Sequence, residues 1–174
     1  MITILVGKSA SGKDTMLKKM LKEGYEPIVS YTSRPMRDGE TDGVEYHFVS
    51  KQRFLELRCL DFFMESRSYN TLVNGNPDTW YYGSPKVNAC EKNYVAILDV
   101  EGAVKFIRYY GKENVEVIYL YVSDEERERR ASLRGSFDKT EWDRRKKDDD
   151  VKFSEDIIQD LAYLAGNFRR IINE

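Results

Sequence analysis

Apolar residues occur along this chain in short runs that are separated by polar, mostly amphipathic segments. The runs at residues 2–6, 95–100 and 115–122 are continuous and have the length of strands. Continuous apolar strands are typical of a parallel sheet that is covered on both faces. The pattern therefore predicts buried strands of one parallel sheet, with a last short strand at residues 169–172.

Segments with helical periodicity lie between these runs. In residues 13–23 the apolar side chains fall on one face, and Gly24 follows, which favours a helix that ends there. Residues 103–110 and 154–165 show the same periodicity.

Two further helix starts are indicated by capping-box patterns. Ser123 with Glu126 fits the pattern, and Asp138 with Glu141 repeats it. We therefore expect one helix to begin at residue 124 and another just after residue 138.

Strands that alternate with helices predict an α/β fold. The expected architecture is a doubly wound, mostly parallel sheet of the P-loop NTPase type with helices on both faces. Residues 28–48 differ, because they are polar, turn-rich and dense in arginine and tyrosine. We interpret this segment as an excursion from the sheet.

Composition narrows the possible functions. The chain has 174 residues, 41% of them hydrophobic, and a net charge of −2, which fits one globular domain without a basic field for nucleic acid. No apolar run is long enough to span a membrane, and Cys59 and Cys90 are too few for a disulfide framework. A cytoplasmic protein is expected. His47 is the only histidine, so the chemistry must use carboxylates, lysine, arginine and backbone groups.

The strongest chemical signal is a glycine-rich loop between the first strand and the first helix. Residues 7–13 have the spacing G-x4-G-K of a Walker A motif. Glycines let successive N–H groups point at one anion, and the helix start adds its positive dipole end. Lys13 is expected to neutralise charge between the β- and γ-phosphates of ATP. The predicted ATP phosphate-binding residues are Gly7, Lys8, Ser9, Ala10, Ser11, Gly12, Lys13, Asp14 and Thr15.

One position departs from the motif, because Asp14 stands where a serine or threonine usually binds Mg²⁺. A carboxylate beside a polyphosphate is repelled unless a cation lies between them, but it is also an oxygen ligand that Mg²⁺ prefers. Asp14 is therefore either a metal ligand or a helix-start residue without a metal role. Asp99 ends a predicted strand and is a second candidate ligand, which would hold Mg²⁺ through water.

The segment after the first helix resembles the signature of guanylate kinases, T-S-R-x-x-R-x-x-E-x-x-G-x-x-Y-x-F. The resemblance extends over nearly the whole chain. The matching residues are Thr32, Ser33, Arg34, Arg37, Glu40, Gly43, Tyr46 and Phe48.

The resemblance implies a binding site for an acceptor nucleotide. It assigns the acceptor phosphate to Arg34, Arg37, Tyr46 and Tyr82, and directed donors of this kind suit a dianion. It assigns recognition of guanine to Ser30, Glu65 and Ser84, with Glu40 and Glu101 completing the expected GMP-binding set. A carboxylate such as Glu65 accepts from both N1–H and the exocyclic amine of guanine, and adenine offers no such pair.

Arginines are also expected over the phosphates. Three arginines recur on one helix face: Arg127, Arg130 and Arg134. The resemblance implies that Arg130, Arg134 and Arg145 close over the transferring phosphoryl group. Together with Lys13 they are the expected catalytic residues. Acidic residues are interleaved with these arginines, so the alternative is a surface helix on which the arginines form salt bridges and bind no phosphate.

Three features depart from the resembled family. The segment at residues 70–80 is longer and predicts an extra flap, and Glu101 is one methylene longer than the usual aspartate. The chain ends at Glu174, where the family usually adds a helix, and Asn173 matches a position near the donor adenine. His47, Trp80 and Tyr81 are expected to be strand or packing residues.

The implied activity is transfer of the γ-phosphoryl of ATP to GMP, and to dGMP, with Mg²⁺, by a monomer or homodimer that binds neither nucleic acid nor membrane. Alternatives are a kinase for ribose bisphosphate or another nucleoside monophosphate, and an inactive protein-binding module. The expected organisation is one domain, residues 1–174, with a core at 1–29, 92–124 and 150–174, a small acceptor-binding subdomain at 30–91 and a helical lid at 125–149.

Overall fold

The computed structural model describes residues 1–73, 76–133 and 137–174. In chain order the elements are β1 (Ile2–Val6), α1 (Lys13–Lys22), β2 (Glu26–Pro27), β3 (Tyr31–Thr32), β4 (His47–Phe48), α2 (Lys51–Cys59), β5 (Phe63–Val73), β6 (Asn76–Pro85), β7 (Tyr94–Ile97), α3 (Val100–Tyr110), β8 (Val115–Tyr121), α4 (Asp124–Ser132), α5 (Lys139–Lys152), α6 (Glu155–Ala165) and β9 (Phe168–Ile172). They form two compact units, residues 1–27 with 89–174, and residues 28–88.

The first unit contains a parallel sheet in the order β2-β7-β1-β8-β9. On one side, Leu5 packs with Met20 of α1 and with Val95, Ile118 and Leu120 of the neighbouring strands. Successive strand residues face opposite sides, so Ile2, Ile4 and Val6 face away from α1. Helices α3 and α6 contact each other and strands of this sheet. The predicted α/β fold is confirmed.

One side-chain cap shifts two of the predicted boundaries. The apolar run at residues 95–100 ends as a strand at Ile97, because Asp99 caps α3 by accepting a hydrogen bond from Gly102 N at 2.8 Å. The helix expected at residues 103–110 therefore begins earlier, at Val100.

The two capping boxes have different outcomes. Asp138 accepts from Glu141 N at 2.8 Å, as expected. Helix α4 begins at Asp124, but the side chain of Ser123 makes no capping hydrogen bond. The box expected at Ser123 is wrong: the Ser123 N–H donates to Glu174 Oε1 at 3.2 Å, and Glu126 binds Arg129 and Arg130.

The second unit contains a sheet in the order β4-β3-β6-β5, in which β3 and β4 are parallel and the other pairs antiparallel. Helix α2 covers one face, where Phe54, Leu57 and Phe63 form a core. Phenylalanine rings lie so close to the backbone that a Cβ on Gly83 would meet Phe63 at 2.9 Å and Phe54 at 3.0 Å. Gly83 is thus required by packing.

An irregularity in β5 places two side chains that are two residues apart on opposite faces. Phe63 pairs with Pro85 and Glu65 pairs with Ser84, so β5 holds one extra residue, Met64, between them. Residues two apart normally share a face of a strand. Because of this bulge, Phe63 faces the core while Glu65 faces away from α2.

The long segment at residues 70–80 is paired in the described part of the chain. Asn70 pairs with Thr79 and Val73 with Asn76, so strands β5 and β6 continue where a loop was expected. His47 lies in β4 with its ring 4.6 Å from that of Tyr31, and Tyr81 packs against the core, as expected. Among the described residues, no helix is both long and apolar enough to cross a membrane.

Candidate functional site

The glycine-rich loop follows β1 and leads into α1. Gly12 is the N-cap of α1 with a φ of 91°, a conformation that L side chains rarely adopt. A Cβ on Gly12 would lie 2.5 Å from Asn173 Nδ2, and a Cβ on Gly7 would lie 2.7 Å from Leu120 O. The two glycines therefore allow the loop to lie close to β8 and to the residue after β9.

Lys13 bends back over this loop. Its Nζ donates to Gly7 O at 2.7 Å and to Lys8 O at 2.9 Å. The ammonium group is thus held beside the loop backbone. A cation in such a loop is placed to attract the phosphates of a nucleotide.

A buried ion pair holds the other side of the loop. Arg127 is 0% exposed; its Nε donates to Ser9 O at 2.8 Å and its Nη2 to Asp149 Oδ2 at 2.6 Å. The same Asp149 oxygen accepts from Ser9 N at 2.7 Å. Asp124 accepts from Arg127 Nη1 at 2.7 Å. Helices α4 and α5 are therefore hydrogen-bonded to the loop through one arginine and one aspartate.

Sequence analysis missed this arrangement. It grouped Arg127 with the arginines on one helix face, but the structure buries Arg127 and leaves Arg130 partly exposed. Asp149 was not predicted at all. The acidic run at residues 148–150 was a signal, but nothing in its spacing distinguishes the buried aspartate from its exposed neighbours.

Two of the predicted lid arginines, Arg130 and Arg145, are bound to glutamates on their own helices. Arg130 Nε donates to Glu126 at 2.7 Å, and Arg145 Nε donates to Glu141 at 2.7 Å. Hydrogen bonds from Arg129 and Arg130 lower the pKa of Glu126 to about 2. These arginines must exchange a carboxylate for a phosphate before they can act on a nucleotide.

A pocket of about 170 Å³ lies beside the glycine-rich loop. Ser9 and Ala10 of the loop line it together with Trp142 and Arg145 of α5. The structure thus brings a predicted lid arginine into a pocket with the predicted phosphate loop. Arg134 lies outside the described residues.

The candidate metal ligands lie at the same end of the first unit. Asp14 is exposed in the first turn of α1, with Thr15 beside it. Leu5 of β1 pairs with Ile97 of β7. Gly7 and Asp99 each lie two residues after that pair, so both lie at the same edge of the sheet. The described residues contain no group of three or more histidine, cysteine or acidic side chains that could hold a metal alone. Two carboxylates nevertheless fit Mg²⁺, which binds to one or two carboxylates together with substrate phosphates.

In the second unit, the predicted guanine-recognition residues form a hydrogen-bonded chain. Ser84 Oγ donates to Glu65 Oε1 at 3.1 Å, and the hydroxyls of Ser30 and Ser84 are 3.1 Å apart. Ser84 is 1% exposed, and Glu65 pairs with it across the strands. The face of the sheet opposite α2 therefore carries a carboxylate whose position is fixed by a buried serine.

The predicted phosphate-binding arginine Arg34 lies on the same face and is 5% exposed. Its Nη2 donates to both oxygens of Glu40, at 2.7 and 2.9 Å, and Glu40 also accepts from Arg37 N at 2.7 Å. The hydrogen bond from Arg34, followed by that from Arg37, lowers the pKa of Glu40. Glu40 thus orients the Arg34 guanidinium and holds the backbone at Arg37.

Two tyrosines complete this group. The rings of Tyr46 and Tyr82 are 5.8 Å apart, and the Arg34 guanidinium is 5.7 Å from the Tyr46 ring. Burial raises the pKa of Tyr46, so its hydroxyl is a neutral donor at physiological pH. Arg67 also acts electrostatically on Tyr46 and pairs with Tyr82 across the strands, although sequence analysis did not consider it.

Two predicted site residues lie in the first unit. Glu101 is in the first turn of α3 and forms an ion pair with Lys105 at 2.8 Å. Asn173 Nδ2 donates to Ser11 O at 2.9 Å, so it contacts the glycine-rich loop. Their expected roles toward guanine and adenine stay predictions.

Comparison with known proteins identifies the family. The guanylate kinase family model matches residues 1–157. A guanylate kinase of Clostridium perfringens strain SM101 is 35% identical over 143 residues, which cover 78% of this chain and 62% of the relative. One of Wolinella succinogenes is 35% identical over 151 residues, covering 83% and 66%. The crystal structure of guanylate kinase from Anaplasma phagocytophilum has a TM-score of 0.57 and 26% identity, covering 95% of this chain and 82% of that one.

This chain spans 62% of the length of the first of these curated relatives. The matched region contains both the glycine-rich loop and the face of the second sheet that carries Arg34 and Glu65. The chain belongs to the guanylate kinase family.

Proposed function

We propose that this protein transfers the γ-phosphoryl group of ATP to GMP, and to dGMP, to give ADP and GDP or dGDP. The observation that carries the proposal is the hydrogen-bonded chain of Glu65, Ser84 and Ser30 on the sheet face that also carries Arg34. A carboxylate held in this way accepts from two donors of guanine, whereas the arginines suit a phosphate. A ribose bisphosphate would offer no base for Glu65, and an inactive module would not need Lys13.

The chemistry we propose depends on position and charge. Lys13 binds the transferring group of ATP at the glycine-rich loop, and the predicted lid arginines Arg130, Arg134 and Arg145 neutralise the negative charge of the transition state. Glu40 keeps the Arg34 guanidinium oriented toward the acceptor. No side chain has to act as a strong base, since phosphoryl transfer mainly requires alignment of the acceptor oxygen.

We infer that Mg²⁺ accompanies ATP and is held by Asp14, Asp99 and phosphate oxygens. When bound, the ion supplies charge neutralisation between the β- and γ-phosphates. Asp99 already gives one carboxylate oxygen to the start of α3, which fixes its side chain. We further propose a cytoplasmic reaction by a monomer or homodimer.

The proposal is tested by ADP release with GMP, dGMP, AMP and a ribose bisphosphate as acceptors, for the parent protein and for Glu65→Gln. We expect the parent to prefer GMP and dGMP. The amide of Glu65→Gln would face a guanine donor with a donor, which costs about 1–3 kcal/mol, so KM for GMP should rise roughly 5- to 150-fold while KM for ATP stays the same.

Glu56→Gln is the matched control. Glu56 is exposed on α2, which covers the other face of the same sheet, so its kinetics should equal those of the parent. A parent protein that uses AMP as well as GMP would contradict the proposed specificity, and a parent without turnover on any acceptor would contradict the enzyme.

A further inference from the structure

We propose that Arg67 is a third phosphate-binding arginine of the acceptor site and sets its affinity for the nucleotide's phosphate. The inference rests on the proposed function, because it concerns the same acceptor. The face of the second sheet opposite α2, here called the open face, carries Arg67 in a fixed order with the proposed ligands.

Strand register divides this face into rows that run across the strands. The first row holds Ser30, Ser84 and Glu65, which are joined by hydrogen bonds. The next row holds Thr32, Tyr82 and Arg67, because Thr32 pairs with Tyr82 and Tyr82 pairs with Arg67.

The two rows match the two ends of a nucleoside monophosphate. The first row contains the proposed guanine-recognition residues, and the second contains Tyr82, a proposed phosphate ligand. Directly paired residues of antiparallel strands have Cβ atoms about 4.5–5.5 Å apart, so Arg67 starts beside Tyr82 and can extend over the phosphate end of the site.

Charge balance supports the same assignment. Arg34 and Arg37 both contact Glu40, and these three groups together carry one net positive charge. A phosphate monoester carries about −1.5 to −2 at pH 7. A dianion therefore exceeds the charge of these three groups, and Arg67 is a further cation on this face, paired directly with Tyr82.

The surroundings of Arg67 agree with a ligand-facing side chain. Arg67 is exposed, and its positive charge acts on Tyr46, which Arg34 also contacts. Arg67 therefore faces the group formed by the two tyrosines and Arg34.

The test compares binding of GMP and guanosine by calorimetry to the parent, Arg67→Ala and Arg67→Lys. Loss of one charge-assisted contact should weaken GMP about tenfold or more in Arg67→Ala, with a smaller loss in Arg67→Lys, because lysine keeps the charge but not the fork. Guanosine lacks the phosphate, so its affinity should stay the same in all three proteins.

Arg53→Ala is the matched control, since Arg53 is an exposed arginine of α2, which packs on the other face of this sheet, and it should bind both ligands as the parent does. Unchanged GMP affinity in Arg67→Ala overturns the inference. An equal loss of affinity for GMP and guanosine overturns it as well, because Arg67 would then support the base site. In both of these outcomes the proposed function stands if the parent protein phosphorylates GMP. A parent protein that neither binds nor phosphorylates GMP overturns the inference and the proposed function together.

Discussion

The two sheets of this protein use their surfaces in different ways. In the parallel sheet the whole of β1 is buried, and the candidate chemistry follows the strand, in the loop that starts at Gly7. In the antiparallel sheet one face packs against α2, and the other face carries the candidate ligands Glu65, Ser84 and Tyr82. A sheet that is covered on both sides can offer only its ends to a substrate, whereas a sheet with one open face can offer side chains along its strands.

This difference predicts a division of labour. Residues at the strand ends of the first unit should govern turnover, and residues on the open face of the second unit should govern which acceptor binds. The three changes below test that division, beginning with the largest expected effect.

Lys13→Ala should lower turnover with GMP about a thousandfold, because the variant lacks the cation that stabilises charge on the transferring group. GMP affinity should stay within about twofold of the parent's, since the acceptor face belongs to the other unit. Steady-state kinetics and GMP titration measure the two quantities. Lys18→Ala, an exposed lysine on α1, is the control. Turnover close to the parent's in a folded Lys13→Ala protein would contradict the kinase.

Asp149→Ala tests whether the first unit needs more than its sheet to hold the glycine-rich loop. The change leaves the buried Arg127 guanidinium with Asp124 as its remaining acidic partner, so the free energy of unfolding should fall by about 3 kcal/mol in urea titration. Replacing both members, as Arg127→Met with Asp149→Leu, should restore much of that loss, because no buried charge remains. Asp148→Ala is the control: Asp148 is exposed on α5, so its loss should cost under about 0.5 kcal/mol. Equal losses for Asp148→Ala and Asp149→Ala would contradict the buried pair.

Asp14→Ser should have the smallest effect, with turnover at saturating Mg²⁺ within about tenfold of the parent's, because a hydroxyl in this motif also holds the ion. Metal-free ATP should bind more tightly to the variant, since a negative charge beside the phosphates is gone. Asp14→Asn keeps the size but loses the charge, so it should need more Mg²⁺ for half-maximal rate. Magnesium titrations and ATP binding in a chelator measure both. If both variants equal the parent, Asp14 only begins the helix.

The sequence predicted the first sheet better than the second for a physical reason. Strand β1 was predicted residue for residue, because a buried strand is one continuous apolar run that stops at Gly7. Strands β5 and β6 were missed because polar residues stand at consecutive positions, as at residues 65–68, so neither an apolar run nor an alternating pattern marks the strands. The partner of Glu65 lies at Ser84, which local periodicity cannot indicate.

The site shows the same limit. The resemblance to guanylate kinases predicted Arg34, Glu40, Glu65 and Ser84, and the structure joins Arg34 to Glu40 and Glu65 to Ser84 by hydrogen bonds. It could not predict Arg127 as a buried residue, because charge alone suggests exposure and its partner lies on another helix.

The extra residue in β5 makes this part of the chain sensitive to length as well as to composition. Deleting Met64 would remove the offset between Phe63 and Glu65, so either the phenylalanine leaves the core or the carboxylate turns toward α2. In the second case Arg67 would turn with Glu65, and Ser66 would take a place on the open face. Homologous chains that differ here by a single inserted or deleted codon should therefore differ in acceptor, even when every other residue of the hairpin is identical.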